Sequence, residues 1–162
     1  MSTDEQLFEQ LNTLRGSKTV IVGIGNTLKG DDATGPLVCQ QLQDAGVCAE
    51  LIDAGTVPEN YIQPIIKKAP QNLIIIDAIN FGASAGTINI FKPEQLSSLV
   101  TSTHTLSHHL FVDMIRREIA VDVHFIGIQP AQTQLGQSIS QQVSHSIQLL
   151  VSALSKIFPS AK

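Results

Sequence analysis

The chain has 162 residues, enough for one domain built around a single core. Hydrophobic residues make up 43% and charged residues only 15%, against about a quarter in ordinary soluble domains, which predicts a sheet covered on both faces. The net charge of -4, with no basic stripe, excludes nucleic acid as the main partner; an acidic start instead of a basic leader, and no apolar run of membrane-spanning length, predict a soluble cytoplasmic protein.

In chain order, Leu7, Leu11 and Leu14 predict a helical N-terminal extension over residues 1–16. An apolar run over Val20–Ile24 reads as a buried strand. It is followed by the glycine loop Gly25–Gly30, the acids Asp31 and Asp32, and a helix with Pro36 near its start and Val38, Leu42 and Ala45 along one face. Cys48–Ile52 reads as a second strand ending at Asp53, and Tyr61, Ile62, Ile65 and Ile66 as a short helix after Pro58. Leu73–Ile76 gives a third strand, continuously apolar, with Asp77 at its end. Thr87–Phe91 is joined to it by a link too short for a crossover helix, so that strand must run antiparallel, at an edge. A helix opens near Ser102-Thr103-His104-Thr105, its stripe formed by Leu106, Leu110 and Met114 with Phe111 and Ile115 beside them. Val121–Ile128 is the fifth strand, and Ile139, Val143, Ile147, Leu150, Leu154 and Ile157 line the closing helix. The expectation is one α/β domain over residues 1–162: three α/β/α layers around a twisted, mostly parallel five-stranded sheet with one antiparallel edge strand. With no coiled-coil pattern, a monomer is expected.

The glycine loop between strand and helix is laid out like a phosphate cradle, but Asp31 and Asp32 stand where such a loop carries Lys and Ser or Thr. Carboxylates repel phosphate and attract a cation or a proton. In sheets of this kind ligands bind beyond the carboxyl ends of the strands, where Asp32, Asp53 and Asp77 fall and where His104, at a loop–helix junction, could join them. Each acid has a structural alternative: Asp31 or Asp32 could cap the next helix, and Asp53 or Asp77 could accept backbone N–H groups in a turn. Convergence of Asp32, Asp77 and His104 would suit a divalent transition metal such as nickel, zinc, cobalt or manganese, with positions left open for water or substrate. Glu59 and Asn60 either shape a substrate cleft or start the second helix, and His108 and His109 belong to the third helix's surface or the site's rim. Gly23-Ile24-Gly25 lacks the third glycine of a dinucleotide fingerprint at the right distance, and the His104/His108 pair lacks the Glu of a zincin. Cys39 and Cys48 read as small buried hydrophobes.

Five motifs occur in order: Gly23-Ile24-Gly25-Asn26 with Gly30-Asp31-Asp32-Ala33-Thr34-Gly35-Pro36, then Asp53–Asn60, then Ile76-Asp77-Ala78, then Ser102-Thr103-His104, then Gly127-Ile128-Gln129-Pro130. In these the chain resembles the [NiFe]-hydrogenase maturation endopeptidases, most of all the hydrogenase 3-type proteases. The resemblance implies a protease that removes a C-terminal extension from the hydrogenase large-subunit precursor after nickel insertion. It implies Asp32, Asp77 and His104 as the metal-contacting and catalytic residues, and nickel supplied by the precursor, for which other divalent metals could substitute. Asp53, Glu59, Asn60 and His108 are the candidate substrate contacts. Family members often carry an acid where this chain has Asn80, a position that either moves protons or only hydrogen-bonds its loop. The alternative is a non-catalytic maturation chaperone that binds nickel or the hydrogenase.

Overall fold

The computed structural model describes residues 2–99 and 105–160. Its elements are α1 (Thr3–Asn12), β1 (Thr19–Ile24), α2 (Thr34–Asp44), β2 (Glu50–Gly55), α3 (Ile62–Lys68), β3 (Asn72–Ala78), β4 (Ile88–Phe91), α4 (Pro93–Leu99), α5 (Thr105–Arg116), β5 (Asp122–Ile128) and α6 (Gln141–Ile157). The strand order is β2-β1-β3-β5-β4. The first four of these are mutually parallel, and β4 runs antiparallel to β5 at the edge. The chain leaves β1 to one side for β2 and then crosses to the other side for β3, so the order reverses at β1.

Side chains alternate across a strand, and β3 shows what this does to a continuously apolar run. Ile74 and Ile76 enter the core shared with α1, α2 and α6. Leu73 and Ile75 enter the opposite core, built with α3, α5 and Leu96 of α4. Asp77, next in the alternation, therefore falls on the α3/α5 side. Burial on both faces accounts for the low charge content.

The helix α2 lies unusually close to the sheet. A Cβ on Gly35 would sit 2.3 Å from the Ile24 carbonyl oxygen and 2.6 Å from that of Ile76, and one on Gly23 would sit 2.3 Å from the Gly35 oxygen. The glycines of this motif thus bring the first turn of α2 against the ends of β1 and β3.

Three local expectations are corrected. The second strand runs over Glu50–Gly55, not Cys48–Ile52, and Cys48 is exposed. The stripe on α5 is turned: Leu110 and Met114 are 56% and 43% exposed, while His108, Phe111, Val112 and Ile115 are buried. Finally, the helix α4, opening at Pro93, was not anticipated; its anchor is the buried Leu96. Among the described residues no helix is long and apolar enough to cross a membrane.

Candidate active site

Asp31 and Asp32 stand in a 3-10 turn, Gly30–Ala33, between β1 and α2. Adjacent in sequence, they do different things. Asp31 is fully buried. Its Oδ2 accepts the N–H groups of Ala131 (2.8 Å) and Gln132 (3.1 Å) and the hydroxyl of Ser140 (2.9 Å), and its Oδ1 accepts the Ser140 N–H at 2.7 Å. That satisfied carboxylate fastens the loop after β5 to the loop after β1. Asp32 is half-buried and faces a cleft. Its Oδ2 accepts the Asn26 N–H at 3.0 Å, so a backbone donor of the anion-like loop is taken up by the chain's own acid. Neither acid caps α2, whose N-cap is Ala33 with no side-chain cap.

The cleft lies over the ends of β1 and β3, where α2 begins. It is lined by Ile24, Gly25, Asp32 and Asp77 below, by Thr56, Pro58 and Glu59 from the β2–α3 connection, and by Ser107 and His108 of α5. Among the described residues it encloses about 250 Å³. Asp77 is buried, and its Oδ2 lies 2.8 Å from Nε2 of His108. With the carboxylate ionised, the imidazole nitrogen would be the donor, because an ionised carboxylate can only accept.

The structure therefore brings Asp32, Asp77, Glu59 and His108 to one cleft. It does not bring Asp53 there. Asp53 alternates with Ile52 and Ala54, so it stands on the α2 side of β2; it is exposed and accepts the Gly55 N–H at 3.1 Å. Asn60 is exposed and is not part of the lining. His104 and Val100–Thr103 lie outside the described residues. Among the described residues no three His, Cys, Asp or Glu side chains form a group that could hold a metal ion; with His104 outside that set, the trio expected from the sequence is not tested by this observation.

Asn80 points into its own loop. Its Oδ1 accepts the Gly82 N–H (3.2 Å) and the Gln129 side-chain amide (3.1 Å). Gln129 in turn accepts the N–H groups of Phe81 (2.9 Å) and Ala83 (3.2 Å) through Oε1. Thr56, Pro58 and Ser107 were missed as cleft residues and Gln129 as a loop organiser. The usable signal for Gln129 was a polar residue directly after the apolar strand β5. Cys39 carries no thiol chemistry: burial, aided by the charge of Asp53, pushes its pKa up to about 12.

Comparison with known proteins agrees with this geometry. The family described as "Hydrogenase maturation protease" (HycI) matches residues 37–157. A putative hydrogenase maturation protease of Methanocaldococcus jannaschii is 33% identical over 98% of this chain and 97% of its own length. The hydrogenase 3 maturation protease of Escherichia coli K12 is 29% identical over 83% and 87%. The crystal structure of the [NiFe] hydrogenase maturation protease HycI from Thermococcus kodakarensis superposes with a TM-score of 0.82 at 29% identity, covering 92% of this chain and 97% of that one. The sheet of four parallel strands and one antiparallel edge strand, with Asp32 and Asp77 beyond its strand ends, is the α/β fold these proteases share. The chain belongs to the hydrogenase maturation protease family, and it is an endopeptidase.

Proposed function

We propose that this protein cleaves a C-terminal extension from the large-subunit precursor of a [NiFe]-hydrogenase after nickel insertion, and that Asp32, Asp77 and His104 engage the nickel which the precursor brings. The observation that carries the reading is the meeting of Asp32 and Asp77, from separate strand ends, in one narrow cleft. Carboxylate and imidazole donors suit a borderline divalent ion, and His104 directly precedes α5, whose His108 reaches the same cleft. The precursor's nickel is substrate here: a site completed from two molecules makes a loaded precursor the one that is cut.

The chain's own groups would do the following. The Asn26 N–H holds Oδ2 of Asp32, leaving Oδ1 with no hydrogen-bond partner among the described residues. That oxygen is placed to take a proton from an attacking water or to contact the metal. Glu59, on the β2–α3 connection that lines the cleft, offers a carboxylate to a cationic group of the substrate. An apolar groove continues outward from the cleft along Ile62, Leu110, Phe111 and Met114, sharing Pro58, Glu59 and Ser107 with it. It gives the substrate's tail a path along α5.

The test is intact-mass analysis of a precursor with and without nickel. The loaded precursor shortens and the nickel-free one does not. Asp32→Ala, Asp77→Ala and His104→Ala each slow cleavage by roughly 10²–10⁴-fold, the range expected for losing an acid–base group. Retained cleavage by all three variants would reject the reading. Cleavage of unrelated peptides without nickel would indicate a constitutive metallopeptidase, and binding without shortening a chaperone.

A further inference from the structure

We propose that His108 is a positioning residue for Asp77, holding its carboxylate in the orientation the cleft uses. The inference rests on Asp77 acting at the cleft as described above, and it concerns a residue four positions beyond His104.

Three observations carry it. First, the contact is close and dry: Nε2 of His108 lies 2.8 Å from Oδ2 of Asp77, with both side chains under 10% exposed (8% and 6%). A hydrogen bond to a charged acceptor away from water is among the stronger kinds. Second, the ring is packed against an aromatic neighbour. It stacks on Phe125 of β5, with centroids 5.4 Å apart and planes 7° from parallel. Phe125 is registered against Ile75 of β3, two residues before Asp77, so ring and carboxylate are held by neighbouring strands of one sheet. Third, His108 occupies an apolar position. With Phe111, Val112 and Ile115 it completes the buried face of α5 at helical spacing. A leucine would fill that face without the cost of burying a polar ring. The imidazole is therefore explained by its partner, not by packing.

A carboxylate with one oxygen fixed loses rotation about its terminal bond, and its remaining lone pairs keep a set direction. Partners of this kind around functional carboxylates typically contribute about 10–100-fold in affinity or activity.

The experiment compares His108→Phe, which keeps the stack and loses the donor, with His108→Gln, which keeps a donor near Nε2 and loses the stack. On nickel-loaded precursor, Phe is expected to lower kcat by about 10–100-fold with little change in KM, and Gln to regain most of the rate. The same proteins without substrate are read by nitrogen-15 NMR of the imidazole. His108 is expected to carry its proton at Nε2, and that resonance shifts in Asp77→Ala but not in Asp32→Ala. Full activity in His108→Phe with a loss in His108→Gln, or a proton at Nδ1 alone, overturns the proposal. Failure of the wild-type protein to cut the loaded precursor overturns the proposed function instead; the imidazole spectrum, which needs no substrate, then still decides whether His108 donates to Asp77.

Discussion

Asp31 receives both the N–H (2.7 Å) and the hydroxyl (2.9 Å) of Ser140, a residue 109 positions later in the chain. Ser140 is itself the N-cap of α6, its Oγ accepting the Val143 N–H at 3.3 Å. One buried carboxylate thus joins the loop after β1, the loop after β5 and the start of the last helix.

The first prediction contrasts the two neighbouring acids. Asp31→Ala leaves the N–H groups of residues 131, 132 and 140 and the Ser140 hydroxyl without their acceptor. Ser140 is buried while Ala131 is exposed to water, so the cost should be about 2 kcal/mol or more, each buried unsatisfied group costing roughly 1–3 kcal/mol. Asp32→Ala removes one half-buried acceptor and should stay within about 1 kcal/mol of wild type while losing processing activity. Urea unfolding of both variants checks this. Equal stability losses would mean that the division of labour between them is wrong.

The second concerns α2. In Gly35→Ala the added methyl meets backbone atoms of Ile24 and Ile76 rather than a side chain that can move. Displacing a helix from its sheet should cost at least about 3 kcal/mol, the scale of severe overpacking. Gly16→Ala is the control. It has a positive φ of 80° with nothing within 4 Å of the added atom, so only backbone strain of about 1–2 kcal/mol is expected. Thermal unfolding should separate the two variants clearly.

A third addresses the groove on α5. Leu110 and Met114 are exposed apolar residues beside the cleft. Leu110→Asp and Met114→Asp should leave unfolding unchanged within about 0.5 kcal/mol, as surface substitutions do. Their KM for the loaded precursor should rise, with kcat little altered. An unchanged KM in both would remove the groove from the substrate's path.

The fourth is a pH effect at the far end of the sheet. His124 bonds Asn72 Oδ1 (3.0 Å) and Lys92 Nζ (3.3 Å). Burial first, and the Lys92 charge second, hold its pKa below the usual 6.5, with Asp122 opposing. The folded state thus favours neutral His124, and below pH 6.5 the unfolded chain binds more protons. Stability from this residue is present above that pH and is lost as pH falls through 6.5 towards the folded value. The stability gap between wild type and His124→Gln should narrow between pH 7.5 and pH 5.5 in urea titrations. A gap that widens would contradict the sign.

By itself the sequence determined the layers, the strand alternation and the acids at the strand ends. The run Leu73–Ile76 must be buried on both faces, and a charged residue directly after it must find a partner; those are local costs that a linear pattern displays. The antiparallel edge strand followed from a link too short to cross over. Only the tertiary structure decided which acid does what. Asp31 and Asp32 are chemically identical in the sequence, and what parts them is a donor cluster near Ser140, beyond the reach of any local pattern. The rotation of α5 was hidden for the same reason. His108 counts as polar in a periodicity, yet it is buried because Asp77, on a different element, makes a polar ring the favourable occupant of that face.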